Sequence, residues 1–506
     1  MPDWKDQLFS AWNNLKSAQD KKGKPESQEQ KQPTPLSKAA PANSQGVQTP
    51  VKPPILVVEA PPTTDQRRTG IRLNTQANQT REVNIGFDLG TAYTKVAYRV
   101  IGPEIAGFVQ LSNGGLEYET TMIPSIVWMD NDQRLYAVSD SIPKNCRAIR
   151  FFKMHLAGAG IGPCFGSELC TETPFYHLVT AYFMYRVLRL AKGAIRHQHS
   201  KLIGPAQVNW SGNLGIPVGY IESKIDVCFQ EVLHIAVTLS NKPDIGDNPS
   251  IQEFYALYQA ALSTPDDEAV NFHLTTELEA AISGLTSDIA TADGMYGLFD
   301  IGGGTMDGAV FYYRRENGSP RINIITALVA PLGFDVAVDS MAKSITREDI
   351  RHALQAGTSM LKLKSDDLRK SIQVHVSSVV VIARRKSAVR WADTMKKFPI
   401  YLCGGGSHST WHKDATIGTW QSHQHGNCGI PAYQQQSLGI PTGIDHGVKH
   451  IRDWDRHLVA YGLSFPKGSL AEVVGFPKNN PVQEYAQYNT DGILDERMYE
   501  RYGELL

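Results

Sequence analysis

Two stretches of this chain, far apart in sequence, follow one plan. Residues 83–98 read VNIGFDLGTAYTKVAY and residues 296–311 read YGLFDIGGGTMDGAVF. Each is an apolar run, an aspartate (Asp88, Asp300), a glycine-bearing turn with a threonine (Gly90 and Thr91; Gly302–Gly304 and Thr305), and a second apolar run. The pattern predicts two strand–turn–strand hairpins. Glycine lets an anion approach backbone N–H groups, threonine adds a hydroxyl, and an aspartate ending a buried strand can hold a metal ion through water. One such turn also fits an aspartate that merely caps its own backbone. Two turns of the same design predict a duplicated α/β fold gripping one phosphate-bearing ligand from both sides.

The chain has 506 residues, enough for a two-lobed molecule with additions, and 42% hydrophobic residues suit a packed core. Lysine plus arginine (50) nearly cancels aspartate plus glutamate (51), which argues against a general nucleic-acid or membrane-surface role. Six scattered cysteines suit a reducing compartment. With no leader-like start and no apolar run of spanning length, the expectation is a soluble, cytoplasmic protein without a membrane partner.

Residues 1–20 place Trp4, Leu8, Phe9, Trp12 and Leu15 at helical spacing, and residues 21–81 turn to Pro, Gln, Lys, Ser and Thr. This predicts an amphipathic helix on a disordered tether, which either docks a protein partner or folds back on its own domain. Two halves are expected, at 82–283 and 284–465, followed by a polar tail at 466–506. In the first, Thr120–Met129 reads as a strand entered through Pro124 and paired with 134–137, and Arg147–Leu156 as a helix or helical turn holding Lys153 between Phe152 and Met154. Phe175–Arg196 reads as a helix and 206–216 as a strand that Ser211-Gly212 could break. Helices follow at 222–233 and 251–262, and Phe272–Ile282 switches from strand to helix at Glu277. In the second half Arg321–Ala330 is expected as a strand, Gly333 to open a helix, and 374–394 to be helical. Phe398–Ser407 is an apolar strand ending in Gly404, Gly405 and Gly406, and 452–465 is a helix. The triple glycine has neither the dinucleotide-fingerprint nor the Walker spacing.

In this order the motifs resemble the nucleotide-binding domain of the DnaK-type heat-shock chaperones, within the actin, hexokinase and chaperone ATPase superfamily. Asp88-Leu-Gly-Thr resembles the first phosphate loop, Asp300-Ile-Gly-Gly-Gly-Thr the second, and Leu402-Cys-Gly-Gly-Gly-Ser the adenosine loop. Glu277-Leu-Glu-Ala-Ala and Ala460-Tyr-Gly-Leu resemble the connecting helices. Ile123-Pro-Ser-Ile-Val and Phe152-Lys153 favour chaperones over actins. The resemblance covers residues 82–465 and implies a two-lobed actin-like fold of duplicated ribonuclease H-like sheets around a cleft, with slow ATP hydrolysis using Mg²⁺. It implies Asp88 and Asp300 around the hydrated metal ion, and Asp88, Lys153, Glu277, Asp300 and Thr305 as catalytic positions. Gly90, Thr91, Ala92, Tyr93, Gly302, Gly303, Gly304, Thr305 and Gly333 would face the phosphates, and Gly404, Gly405 and Gly406 the adenosine.

The chain departs from that family in several places. Only a short polar tail follows Phe465, where the chaperones carry a peptide-binding domain. The basic residue that stacks on adenine has only candidate matches in Lys364, Arg369 and Lys370, and His408 replaces an arginine. Residues 408–450 read as a His-rich insertion, in which His408, His412, His423, His425 and Cys428 have the ligand types and short spacings of a zinc site. A Gly/Gln/His-rich surface loop has the same composition. The expected function is a chaperone-like ATPase that couples lobe closure to a protein partner or co-chaperone, through the N-terminal helix or the His-rich segment. The alternatives are an actin-like filament former, a nucleotide-sensing structural subunit without turnover, and a small-molecule kinase, for which no sugar-binding carboxylate is evident.

Overall fold

The computed structural model describes residues 80–474, apart from 104, 113–118, 139–141, 157–172, 204–206, 219–223, 243–244, 247, 288–290, 317–318, 343–344, 358–365, 388–390, 442–443, 445–453 and 468–471. The expected N-terminal helix, the tether up to residue 79, Lys364 and the tail beyond 474 lie outside the described residues.

The first half opens with β1 (Thr80–Asp88), β2 (Tyr93–Val100) and β3 (Ile105–Phe108), which form an antiparallel meander. Short strands β4 (Leu111–Ser112), β5 (Glu119–Thr120) and β6 (Ile123–Pro124) follow, then β7 (Val127–Met129), β8 (Leu135–Tyr136) and β9 (Arg147–Ile149), which make a small sheet of their own. Next come α1 (Phe152–Leu156), α2 (Thr173–Gln198), β10 (Gln207–Ile216), α3 (Lys224–Ser240), α4 (Ile251–Ser263), β11 (Phe272–Thr276) and α5 (Glu277–Thr286). The second half repeats the scheme with β12 (Gly294–Ile301), β13 (Met306–Glu316) and β14 (Ser319–Ala330). It continues through α6 (Phe334–Met341), α7 (Arg347–Ala356), α8 (Asp366–Lys386), α9 (Trp391–Thr394), β15 (Phe398–Cys403), α10 (Thr410–Ser422), β16 (Tyr433–Gln436), α11 (Trp454–Leu463) and β17 (Glu472–Val474).

The two main sheets match strand for strand. The first has the order β11-β10-β1-β2-β3, the second β16-β15-β12-β13-β14 with β17 added at its edge. In each, the hairpin strands are antiparallel and the two later strands run parallel to the first. Helices α3 and α4 lie between the two parallel additions in the first half and α10 in the second, and one helix follows the last strand in each, α5 and α11. Parallel strands need such crossovers, and the apolar helix faces then cover the sheet.

Helices α5 and α11 pack on each other within a core drawn from both sheets, including Phe108, Ile282, Leu298, Phe311 and Leu458. Their crossing is close because small residues meet there. A Cβ on Gly462 would run into the backbone of Ala280, and one on Gly284 would lie 2.9 Å from the Leu458 carbonyl oxygen. The end of α11 is held to the first sheet by two buried asparagines. Asn84 Nδ2 donates to the Ser464 carbonyl (2.9 Å) and Asn213 Nδ2 to that of Leu463 (2.8 Å), meeting acceptors that the last helical turn leaves unpaired.

Several expectations need correction. The strand expected at 206–216 is observed as Gln207–Ile216 and is unbroken through Ser211 and Gly212, because both pair in register with β1. Arg147–Leu156 is a strand and a separate helix, divided at Phe151, whose φ of 58° is the left-handed conformation that side chains disfavour. The helix expected at 374–394 starts earlier, at Asp366, and ends at Lys386. Residues 408–436 are not an insertion, since α10 and β16 complete the second sheet and Trp411, Ala415, Ile430 and Tyr433 are part of its core. The polar tail contributes β17, paired with β14 at Arg321–Asn323, and residues 80–81 belong to β1 rather than to a tether.

That core also buries neutral histidines. Burial lowers His375 to about 4 and His412 to about 3, outweighing in each a backbone hydrogen bond that favours the charged form. The unfolded chain therefore binds protons between pH 6.5 and 4 that the folded chain refuses, so this contribution to stability is complete above pH 6.5 and lost as pH falls. His375→Leu is expected to remove about 3 kcal/mol of that loss between pH 7 and 4. Urea unfolding of wild type and variant at both pH values checks it, because carboxylates elsewhere that gain stability in acid cancel in the difference.

Candidate functional site

Both hairpin turns open into one cavity of about 320 Å³, whose wall includes Asp88, Thr91, Lys153, Glu277, Asp300 and Thr305. The sequence placed these residues in both halves and the structure brings them together. Gly90, Ala92, Tyr93, Gly302–Gly304 and Gly404–Gly406 also line it.

In both turns the carbonyls are occupied from behind by the same device. In the first, Ser125 Oγ donates to the Gly90 carbonyl (2.7 Å) and Ser125 N–H to that of Ala92 (2.9 Å). In the second, the start of α6 does this work: Phe334 N–H donates to Gly302 O (2.9 Å), Asp335 N–H to Gly303 O (2.8 Å) and Gly333 N–H to Gly304 O (3.2 Å). The N–H groups of Thr91 and Ala92, and of Gly303, Gly304 and Thr305, then make no hydrogen bond to any described residue. Such runs of free N–H groups make an anion-binding concavity. The turns also touch: a Cβ on Gly304 would sit 3.0 Å from Thr91 Oγ1, and one on Gly303 3.5 Å from the Ala92 methyl. Gly333, expected at the phosphates, instead caps α6 and packs against the backbone of Gly303 and Gly304, outside the cavity wall.

Between the turns lies a buried charge cluster. In the first hairpin Asp88 stands opposite Lys95 and pairs with it at 2.7 Å. In the second, the register that sets Asp88 against Lys95 sets Asp300 against Asp307. Glu277 enters at the first turn of α5, whose start is fixed by Thr276 Oγ1 accepting from Glu279 N–H at 2.9 Å. The left-handed turn at Phe151 starts α1 at Phe152, and Lys153 meets Glu277 in a buried ion pair with both side chains under 10% exposed. Two lysines thus face four carboxylates.

The titration of these groups records that imbalance. Burial works against the Lys153 ammonium, but Glu277 and, behind it, Asp88 outweigh it and hold the lysine above its usual range. Burial pushes Glu277 up, with Lys153 drawing it back and Asp88 adding to the push. Asp300 is raised to about 7 by burial, then by Glu277 and Asp88. Asp307 is pushed well above the usual carboxylate range by burial, Glu277 and Asp300, and its Oδ1 is buried without a hydrogen bond. Surplus carboxylates around an unsatisfied buried oxygen fit a bound cation.

The cavity wall also holds Arg351, Gln355, His408 and Arg456, together with the acids Asp335 and Asp455. Gly404 must be glycine, with φ 80° and the Asp300 carboxylate where a side chain would go. Asp455 fixes the glycine loop: its carbonyl accepts from Gly404 N–H (3.1 Å), and its carboxylate takes Ser407 Oγ and His408 Nε2. Arg369 and Lys370, the described candidates for a base contact, do not line the cavity. Sequence reasoning missed Lys95, Asp307, Asp335, Arg351, Asp455 and Arg456. Of these, the register of two hairpins of equal length could have revealed Lys95 and Asp307.

The zinc candidates are not gathered into one ligand set, although the His423 and His425 rings lie 6.0 Å apart between centroids. His412 lies in α10 on Ser409 Oγ (3.0 Å), His425 sits between Ser377 Oγ (2.9 Å) and the Tyr433 hydroxyl (2.6 Å), and His408 is on Asp455. His423 is bonded to Ser422 and Cys428 is exposed. Among the described residues no three histidine, cysteine, aspartate or glutamate side chains are grouped to hold a metal ion directly. A cation at the acidic floor would therefore keep water in its shell, as Mg²⁺ does. Among the described residues no helix is long and apolar enough to cross a membrane. The chain matches no family model and no curated protein.

Proposed function

We propose that this protein is an ATPase of the actin-like, two-lobed class, binding ATP with its phosphates between the two glycine turns and hydrolysing it slowly. The observation that carries this reading is the pair of matched turns, each with its carbonyls occupied from behind and its free N–H groups facing one cleft. The repeated sheet topology and the resemblance to DnaK-type chaperones support it.

The phosphates take the N–H groups of Thr91 and Ala92 from one side and of Gly303, Gly304 and Thr305 from the other. Asp88 and Asp300 would hold a divalent cation through water, which would supply charge neutralisation on the phosphates. Glu277, in the cavity wall beside the turns, is the acid assigned to accept a proton from water. Lys153 holds Glu277 in place and adds positive charge beside the transferring group. The triple glycine admits the nucleoside, with Asp455 fixing the loop. Chemistry of this kind needs positioning and electrostatics rather than a covalent intermediate. Closure of the halves about the α5–α11 crossing then couples nucleotide state to a protein partner in the cytoplasm.

Asp300→Ala removes one of the two metal-facing carboxylates, and turnover should fall by about 10²-fold or more. Phosphate release from ATP measures it, and a variant that hydrolyses ATP at the wild-type rate overturns the reading.

A further inference from the structure

Helices α6 and α7 are joined by two ion pairs, Asp335 with Arg351 at 2.5 Å and Asp339 with Arg347. As staples the pairs are matched in burial, though Arg351 Nη2 donates to Asp335 Oδ1 while both Asp339 oxygens are buried without a hydrogen bond to any described residue. Both acids are nearly buried, at 4% and 3% exposure, and both arginines are partly open, at 37% and 40%. They differ in what lies beyond them. Arg351 is in the cavity wall, as is Gln355 one turn further along α7, whereas Arg347 is not. The acid that holds Arg351 also touches the second glycine turn. Asp335 N–H donates to Gly303 O (2.8 Å), and its Oδ2 is 2.7 Å from where a Cβ on Gly303 would be. One guanidinium edge therefore stands a single carboxylate away from the free N–H groups of Gly303 and Gly304. Its packing over the Phe334 ring, 5.8 Å from the centroid, fixes its approach.

We propose that Arg351 is the cation that reads the phosphoryl group seated on Gly303–Thr305, bridging Asp335 and a phosphate oxygen when the ligand enters. A guanidinium has five donors in a rigid fork, so it can keep its carboxylate and still take a phosphate. Asp335 orients the fork, and without the arginine its own charge would repel the ligand. Arg351 is thus a specificity residue for polyphosphate, in a position that α7 alone supplies. This assignment rests on the nucleotide reading for its ligand but not for its chemistry.

The experiment is calorimetric titration of the full chain with Mg-ATP and, separately, with Mg-tripolyphosphate. It compares wild type, Arg351→Met, Arg351→Lys and the matched staple variant Arg347→Met. Losing a charge-assisted contact should weaken both probes about 10- to 100-fold in Arg351→Met. Arg351→Lys should recover part of that affinity, and Arg347→Met should bind within about twofold of wild type while losing a similar amount of thermal stability. Arg351→Met binding as well as wild type, or Arg347→Met losing as much affinity, overturns the assignment and leaves the nucleotide reading standing. Wild type that takes tripolyphosphate but not ATP removes the nucleotide reading and keeps Arg351. Wild type that binds neither removes both.

Discussion

Lys153→Met is expected to lower the turnover of ATP by about 10²- to 10³-fold, and to do so without weakening nucleotide binding in proportion. The lysine is buried on Glu277, so its loss acts twice. In the proposed ATPase it removes a positive charge beside the transferring phosphoryl group, and in any case it leaves the Glu277 carboxylate buried without its counter-ion. The second effect should cost on the order of 3 kcal/mol of stability unless Glu277 takes up a proton. Adding Glu277→Gln to Lys153→Met separates the two. The double variant should regain most of the stability lost to the single change, because an amide needs no counter-charge, while turnover stays low. Urea unfolding and single-turnover hydrolysis give both readings, and a double variant with restored turnover would show that the pair is only structural.

The second large effect belongs to the crossing of α5 and α11. Gly462→Val places side-chain atoms where the backbone of Ala280 already lies, and no rotamer avoids it. The helices must separate, at a cost of about 3 kcal/mol. Since this crossing sits in the core shared by both sheets, hydrolysis should fall with stability. Gly418 in α10 is the control. It is also helical, but nothing lies within 4 Å of a Cβ built there, so Gly418→Ala should stabilise by about 0.5–1 kcal/mol. Equal effects of the two changes in chemical unfolding would refute the role given to the crossing.

The repeated hairpins, the strand-to-helix switch at Glu277 and the helices at 173–198 and 251–263 were legible because period and turn residues agree there with the final packing. What was illegible depends on contacts between segments. Phe151 carries no mark of its left-handed backbone, so a strand and a helix ran together as one helix. The histidines of 408–428 looked like a ligand set because spacing alone cannot show that His412 and His425 point into packed surroundings. Ser125 was read as part of a strand, yet it holds the carbonyls of the first turn. Asp307 looked like an ordinary strand residue. Only pairing register shows that it occupies, in the second hairpin, the place Lys95 occupies in the first.

That exchange of a lysine for an aspartate has a consequence of its own. The two halves repeat one another in strand order and direction, and a pair of equal grips would hold a ligand equally well either way round. One grip carries its own counter-charge, and the other sets two carboxyl groups opposite each other with no lysine of its own. The approximate symmetry of the backbone is thereby cancelled at its axis, and the cleft acquires a polarity. A ligand with a cation at one end of a chain of anions has a single direction in which to lie, so one side-chain difference turns a duplicated scaffold into a directional one.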